Sequence, residues 1–600
     1  LKNFFVPEIT GAIPTVMILF NYKIFSRRAG YSFLTALTMI FCVLAGVADA
    51  KARSDEAPLA AINYRLSMTR PATHLFEVQI EVRTAKDINP DHLDFQMPRW
   101  SPGRYSVFNF AMNVQEFSAY PYCGEAICRA EPLPVMRIDD QTWRVQTVGK
   151  ERLMVSYKVF GDNLSGTFSQ LNERHANFNG GSLFMYIVGH KPDPVRLKID
   201  PPAGWRIVNG RMESSDQREW QFPNYDILID TPTEIAPDWT MEQFNWEGKT
   251  YRVVVHSQGA EGGKRRALVS GIEKIVRAET AMWGTPEFDS YTFLIHFAAD
   301  GESSDGMEHL TSTQLIQPGA LASQGELESA LDGAAHEFFH VWNVKRLRPA
   351  ELGPWDFTRP LRTRSLWIVE GITNYYGHLM QRRAGIWTDA RLLERLGQQI
   401  AEVENAPGSR LMSAEESSIV APFLDGAAHT QRTNLDNTSV NYYPKGEVLG
   451  LVLDLLIRRE TAGRASLDDV LRRMYQKFYV ESAADTYYLR GRGYTVEDFE
   501  RTASEVAGRD LQDFFKRYVR GVETPPYDEA LATVGLRLVR AQARAAEVRP
   551  PSAPASTGKV EASHLIEASR PVAHPFSYRI EERRDATAQQ RALRAAWMRG

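Results

Sequence analysis

His336-Glu337-Phe338-Phe339-His340 sets two imidazoles four residues apart, with a carboxylate beside the first. Leu327, Ala330, Leu331, Ala334 and Ala335 precede it at helical spacing, which places the pentad on an amphipathic helix. Positions i and i+4 share one face, so both rings can point at a single zinc ion. Glu337 then stands beside the coordination position left open. Zinc there acidifies water and polarises a carbonyl, while the carboxylate takes a proton and delivers it to a leaving amine. The pentad also arises by chance, in about one chain of this composition in fifty. A third ligand is therefore the deciding feature.

Trp367-Ile368-Val369-Glu370-Gly371 follows on a second helical segment, and Glu370 is the candidate third ligand. Asn374, one helical turn further, either accepts a hydrogen bond from a ligand histidine or is an ordinary surface amide. Gly306-Met307-Glu308-His309 comes before the histidines, just after a strand ending near Phe297. A carboxylate there is placed to bind a free α-amine. Asn441-Tyr442-Tyr443-Pro444-Lys445-Gly446 comes after them, and a tyrosine hydroxyl aimed at the reaction centre stabilises a tetrahedral oxyanion. By spacing alone, a lone Glu reads equally as a solvated charge and a lone Tyr as core. Tyr443 precedes a proline and is expected in extended geometry, with a helix starting near Lys445. Tyr442 and Tyr443 would then face opposite sides.

The elements that must position these residues change period along the chain. Alternating stretches such as Leu75-Phe76-Glu77-Val78-Gln79-Ile80-Glu81-Val82 recur through residues 58–235 and predict a β-sandwich over 51–245. Strands at Tyr251–His256 and Tyr291–Phe297 continue into a mixed α/β catalytic region, 246–395. Its helices are expected at Lys264–Trp283, Glu326–Arg346, Arg364–Ala384 and Ala390–Glu404. A helical domain follows over 396–535, with helices at Lys445–Glu460, Ser466–Phe478, Thr495–Ala507 and Leu511–Arg520. Residues 536–600 read as a linker-like tail, marked by Arg549-Pro550-Pro551-Ser552-Ala553-Pro554.

Composition bounds these readings. Six hundred residues predict about three to five structural units. Hydrophobic residues at 43 % and charged residues at 24 % belong to a folded globular chain, which excludes collagen, coiled coil and wholesale disorder. A net charge of -4 supplies no global field for nucleic acid. Three cysteines exclude a disulfide-built scaffold and a thiolate zinc site. Residues 1–50 read as a secretory signal peptide: basic Lys23, Arg27 and Arg28, an apolar run from Tyr31 to Val47, then Ala48-Asp49-Ala50. The expected location is secreted, in the periplasm, and an uncleaved leader would be the one route to a membrane. Cys123 and Cys128 flank a turn containing Gly124. In an oxidising compartment they are placed for a local disulfide, the alternative being two free thiols.

The chain resembles the glycyl aminopeptidase family of secreted gluzincin zinc metallopeptidases, which often carry a C-terminal PDZ domain. The matching segments are Met97–Tyr105, Phe178–Tyr186, Gly306–His309, Ala335–Arg346, Trp367–Tyr376 and Tyr443–Gly446, in family order from about residue 60 to 538. The resemblance implies a thermolysin-like catalytic domain and a Zn2+ cofactor held by His336, His340 and Glu370. It implies Glu337 as base, Glu308 within Gly306-Met307-Glu308 as the amine-binding residue, and Tyr443 as oxyanion donor. Substrates would be peptides with a free N-terminus, with glycine or another small residue preferred. From Leu536 only 65 residues remain, whose glycines are Gly558 and Gly600, so no complete PDZ domain is expected. A zinc endopeptidase and a non-catalytic peptide-binding protein with a vestigial site are the other two readings.

Overall fold

The structure is a computed structural model. It describes residues 58–600 apart from 86–89, 123, 125–129, 212–217, 299–303, 425–432, 483–486, 488–489 and 543–575. The leader at 1–50, Cys123 and Cys128 lie outside the described residues. The remainder belongs to one unit, Ala57–Gly600.

The N-terminal region is built of sheets. Six strands are ordered Glu219–Phe222, Val195–Asp200, Ala61–Ser67, Leu75–Arg83, Arg152–Phe160 and Val114–Pro121. Alternation along Leu75–Arg83 buries Phe76, Val78, Ile80 and Val82 and leaves their neighbours partly in solvent. The buried face shares a core with a four-stranded sheet that contains His92–Gln96 and Thr142–Gln146. Phe117 stacks on Trp143 across the gap and on Tyr157 of its own sheet. This is the expected sandwich. A further sheet, ordered Arg206–Asn209, Thr233–Ala236, Ala176–Phe178 and Gln170–Leu171, extends the region toward the catalytic part.

The catalytic sheet has five strands, ordered Thr240–Trp246, Lys249–Ser257, Ser290–Ala298, Ser312–Pro318 and Asp305–Glu308. Its first strand lies ahead of the boundary expected at 246. The middle three run parallel, and both edge strands are antiparallel to their neighbours. Ser290–Ala298 is apolar almost throughout because helices cover parallel strands. The helix Gln324–Phe339 packs behind this sheet, its start fixed by a reciprocal cap between Ser323 and Glu326.

The helical C-terminal region shares one hydrophobic core with the catalytic part, and the boundary expected at 395–396 falls inside the helix Asp389–Asn405. The reading of 536–600 as a linker-like tail is corrected for its described part. Leu536–Gln542 pairs antiparallel with Phe576–Glu582, and the helix Ala588–Arg599 follows. Trp597 is fully buried there and donates to the Tyr375 hydroxyl at 2.7 Å. One large indole, seated against the catalytic helices, outweighs the polar composition around it. Among the described residues, no helix is long and apolar enough to cross a membrane.

Candidate active site

His336 and His340 lie at the end of the helix Gln324–Phe339, and the chain turns at His340 instead of continuing helical to Arg346. Their Nε2 atoms are 3.1 Å apart. Glu370 Oε2 lies 3.5 Å from the first and 3.4 Å from the second. A tetrahedral ion with bonds of 2.0–2.1 Å has ligand–ligand edges of about 3.3 Å, so the three donors fit one zinc-sized cation. Their electrostatics fit as well. Burial alone would raise the Glu370 carboxyl, but the His340 charge and hydrogen bonds from both imidazoles hold it well below the usual range. Burial works against charge on His340, and Glu370 overrides it, pushing the imidazole up to about 10.

Glu370 sits in a wide-turned helical segment, Trp367–Ile372, which passes into the helix Thr373–Arg383. Such π-type turns recur at functional sites. The sequence offers Asn374, one helical turn beyond Glu370, either as a hydrogen-bond acceptor for a ligand histidine or as an ordinary surface amide. The Asn374 side chain makes no hydrogen bond among the described residues, and His340 Nδ1 is held 2.6 Å from the Asn343 carbonyl. The Asn343 amide donates to Ile368 O and Thr373 Oγ1, tying the histidine helix to the Glu370 segment. The sequence reading singled out no role for Asn343, although it lies three residues beyond His340 in the family-like segment Ala335–Arg346.

Glu337 is buried beside the cluster. Burial, with the charges of Glu308 and Glu370, pushes its carboxyl well above the usual range, against the opposing charges of His340 and Arg104. Its Oε2 has no hydrogen-bond partner among the described residues. Gly306 makes room for it: a Cβ at that position would lie 2.2 Å from Glu337 Oε1. Met307 is buried in the same edge strand. Glu308 ends that strand, 6 % exposed, and its side chain has no hydrogen bond or ion pair among the described residues. One donor atom each of Glu308, Glu337 and His340 lies within 4.8 Å of the others. The next residue, His309, is anchored to Asp230 at 3.1 Å, and Lys345 holds the same carboxylate at 2.9 Å.

Tyr443 reaches the site differently from the expectation. The helix begins at Tyr442, not near Lys445, because the Asn441 side chain accepts from Tyr443 N, and Pro444 in the first turn needs no hydrogen-bond donor. The two tyrosines are therefore not on opposite sides of an extended segment; their rings stack, with centroids 4.9 Å apart. Tyr442 is fully buried, edge-on to Tyr105, whereas Tyr443 remains partly exposed, with its ring 6.1 Å from that of His336. Gly371 and Gly446 permit this arrangement: a Cβ on Gly371 would lie 2.3 Å from Gly446 Cα. The Glu370 segment and the Tyr443 helix thus touch backbone to backbone.

The N-terminal region contributes directly, which the sequence did not reveal beyond the family likeness of Met97–Tyr105. The Tyr105 hydroxyl donates to Glu370 Oε1. Burial and the Glu370 charge push its pKa well up, so it keeps its proton and stays a donor. Arg104 is buried, ion-paired with Asp305, and donates to Gly306 O at 3.2 Å.

Three protein donors with a carboxylate beside them are what a hydrolytic zinc site requires, and the molecule built around them is a zinc metallopeptidase. The model of the M61 peptidase N-terminal domain matches residues 63–237, and that of the M61 glycyl aminopeptidase matches residues 329–449. The chain thus carries the N-terminal and catalytic segments described by the M61 glycyl aminopeptidase models. An aminopeptidase N family protein from Idiomarina loihiensis has a similar structure, with a TM-score of 0.72 and 26 % identity over 80 % of this chain and 79 % of that one. An M1 zinc metallopeptidase from Deinococcus radiodurans is 13 % identical with a TM-score of 0.43, over 78 % of this chain and 95 % of its own. A mutant of the latter bound to a Tyr-Ser-Ala substrate gives 12 % and 0.45 over the same shares. No curated protein matches the chain.

Proposed function

We propose that this protein removes single residues from the free N-terminus of peptides, with glycine or another small residue preferred, and that it acts outside the cytoplasm. The observation that carries the reading is Glu308. It is a buried carboxylate with no side-chain hydrogen bond or ion pair among the described residues, facing the same space as Glu337 and His340. An α-ammonium docked on it would satisfy that charge and set the first peptide bond beside the histidines.

His336, His340 and Glu370 would hold zinc, which polarises the scissile carbonyl and acidifies water when bound. Glu337 takes the proton of the attacking water as the new C–O bond forms. It passes that proton to the amine as the C–N bond breaks. The Tyr443 hydroxyl donates to the oxyanion of the tetrahedral intermediate. Tyr105 and the Asn343 carbonyl orient Glu370 and His340. Arg104 fixes the Gly306 strand through Asp305.

Two features favour the exopeptidase and the small side chain. Gly103 of the N-terminal region closes on Glu308, where a Cβ on that glycine would lie 2.8 Å from the carboxylate. A chain extended past the amine site meets this wall. Beside Glu308, a cavity of about 40 Å³ bordered by Trp100, Tyr105 and Trp355 has room for a small side chain. The leader-like residues 1–50 support export.

The test is product analysis of a decapeptide carrying small N-terminal residues. Stepwise loss of single residues, abolished by a chelator and restored by zinc, is expected. Fragments from internal cuts would favour the endopeptidase.

A further inference from the structure

A second set of converging donors lies outside the cleft, where the N-terminal sheets meet the catalytic sheet. His175 stands in the turn before the strand Ala176–Phe178, and Glu234 in the strand Thr233–Ala236. His256 and His296 are direct register partners on adjacent parallel strands of the catalytic sheet. All four are buried, none more than 3 % exposed. Glu234 Oε1 lies 3.1 Å from His175 Nδ1 and 2.8 Å from His256 Nδ1, and Oε2 lies 3.4 Å from His296 Nδ1. One donor atom from each of the four lies within 4.8 Å of the others.

Proton bookkeeping separates a cation from an ordinary polar cluster. His175 Nε2 faces Gln170 Oε1 at 2.9 Å, and the amide nitrogen of Gln170 donates to Asp162, so this Nε2 carries a hydrogen. His256 Nε2 faces the Asp238 carboxylate at 3.1 Å and carries one too. His296 Nε2 lies 3.3 Å from the Gln258 amide, whose Oε1 has no partner among the described residues. Turning that amide end for end gives the oxygen a donor and His296 an outward acceptor. All three rings then donate outward from Nε2 and present Nδ1 to Glu234. Protonating every Nδ1 would bury three cations against one carboxylate. Leaving every Nδ1 bare would aim three lone pairs at that carboxylate. Either state is costly in a dry interior, and a mixed state with one imidazolium beside Glu234 still aims two bare lone pairs at that carboxylate; a divalent cation at the centre receives all three.

We propose that His175, His256, His296 and Glu234 form a second metal site, taking a zinc-type divalent ion with a structural role. Four protein donors leave no open position, the mark of a structural site, and imidazoles suit zinc. Gln170, Asp238 and Gln258 supply the outer acceptors that orient ligating histidines. Asn177 donates to Glu234 Oε2 at 2.7 Å and accepts from Gln314 at 2.7 Å. Gln314 lies on the strand Ser312–Pro318, which pairs with the Glu308 strand. The ion would fasten the N-terminal wall to the sheet that carries the amine-binding residue.

The test is metal content per chain by mass spectrometry, on full-length protein loaded with zinc and freed of excess. Two equivalents are expected in the wild type, one in His296→Ala, and one in the double variant His336→Ala/His340→Ala. In that double variant, stripping the metal should lower Tm and zinc should restore it. One equivalent in the wild type and none in the double variant would overturn the proposal. If His296→Ala does not fold, the double variant decides alone, because its second cluster is intact.

Discussion

The two histidine–carboxylate clusters use the same donors in opposite ways. At the cleft, His336, His340 and Glu370 provide three donors, and the fourth direction opens on Glu337, Glu308 and Tyr443. Between the domains, His175, His256, His296 and Glu234 provide four, enclosed by amides and a carboxylate. The first arrangement leaves room for a substrate and the second does not. What separates them is the count of donors and the surroundings, not the residue types.

The sharpest way to break this contrast is to remove the group that makes the first cluster reactive. Glu337→Gln should lower kcat by up to about 10⁴-fold with zinc content unchanged, since only the proton acceptor is lost. Steady-state kinetics beside metal analysis checks both halves. Turnover near wild type would remove Glu337 from the mechanism. Tyr443→Phe comes next, with a loss of about 10²–10³ in kcat. Tyr442→Phe should be mild, because that ring is fully buried and packed edge-on against Tyr105. The reverse pattern would move the oxyanion role to Tyr442.

A smaller change sharpens the comparison. Tyr105→Phe deletes the donor to Glu370 and should weaken zinc binding at the cleft by about 10–100-fold. The interdomain cluster has no contact with Tyr105 and should keep its ion. Chelator titration with two resolved steps reads this directly; equal weakening of both steps would contradict the separation.

Legibility in the sequence followed locality. The HExxH pair was readable because one helical turn sets both ligands. Glu370 was readable because the family order places it. Asn374 stayed open between an orienting amide and a surface one, because a single amide carries no local signal of its partner; its side chain makes no hydrogen bond among the described residues. Tyr442 and Tyr443 were assigned to an extended segment because Pro444 reads as a helix starter, yet it lies inside the first turn. The sandwich and the parallel strands showed in their burial periods, whereas Trp597 shows that one buried residue can anchor a segment of polar composition. The interdomain cluster was invisible: its four residues come from separate segments, and only the sheet topology brings them together.

A buried carboxylate outside both clusters serves as a control. Glu279 is fully buried on the helix Arg265–Trp283, and neither oxygen has a hydrogen-bond partner among the described residues. Burial pushes its carboxyl well above the usual range. With the folded pKa raised, the unfolded chain gains by ionising, so this residue costs stability as pH rises above about 4.3. Glu279→Met should raise Tm at pH 7, worth about 1–3 kcal/mol, with the advantage fading near pH 4. Melting curves at both pH values check the sign.

The central claim is that Glu308 turns a zinc hydrolase into an aminopeptidase. The direct measurement is kcat/KM for a glycyl peptide and its N-acetylated form, in the wild type and in Glu308→Ala. The account predicts that the wild type prefers the free amine by about 10–100-fold, the scale of a hydrogen bond between charged groups. It also predicts that the preference collapses in the variant while zinc content holds. Equal cleavage of both peptides by the wild type, or a preference that survives in Glu308→Ala, would contradict it.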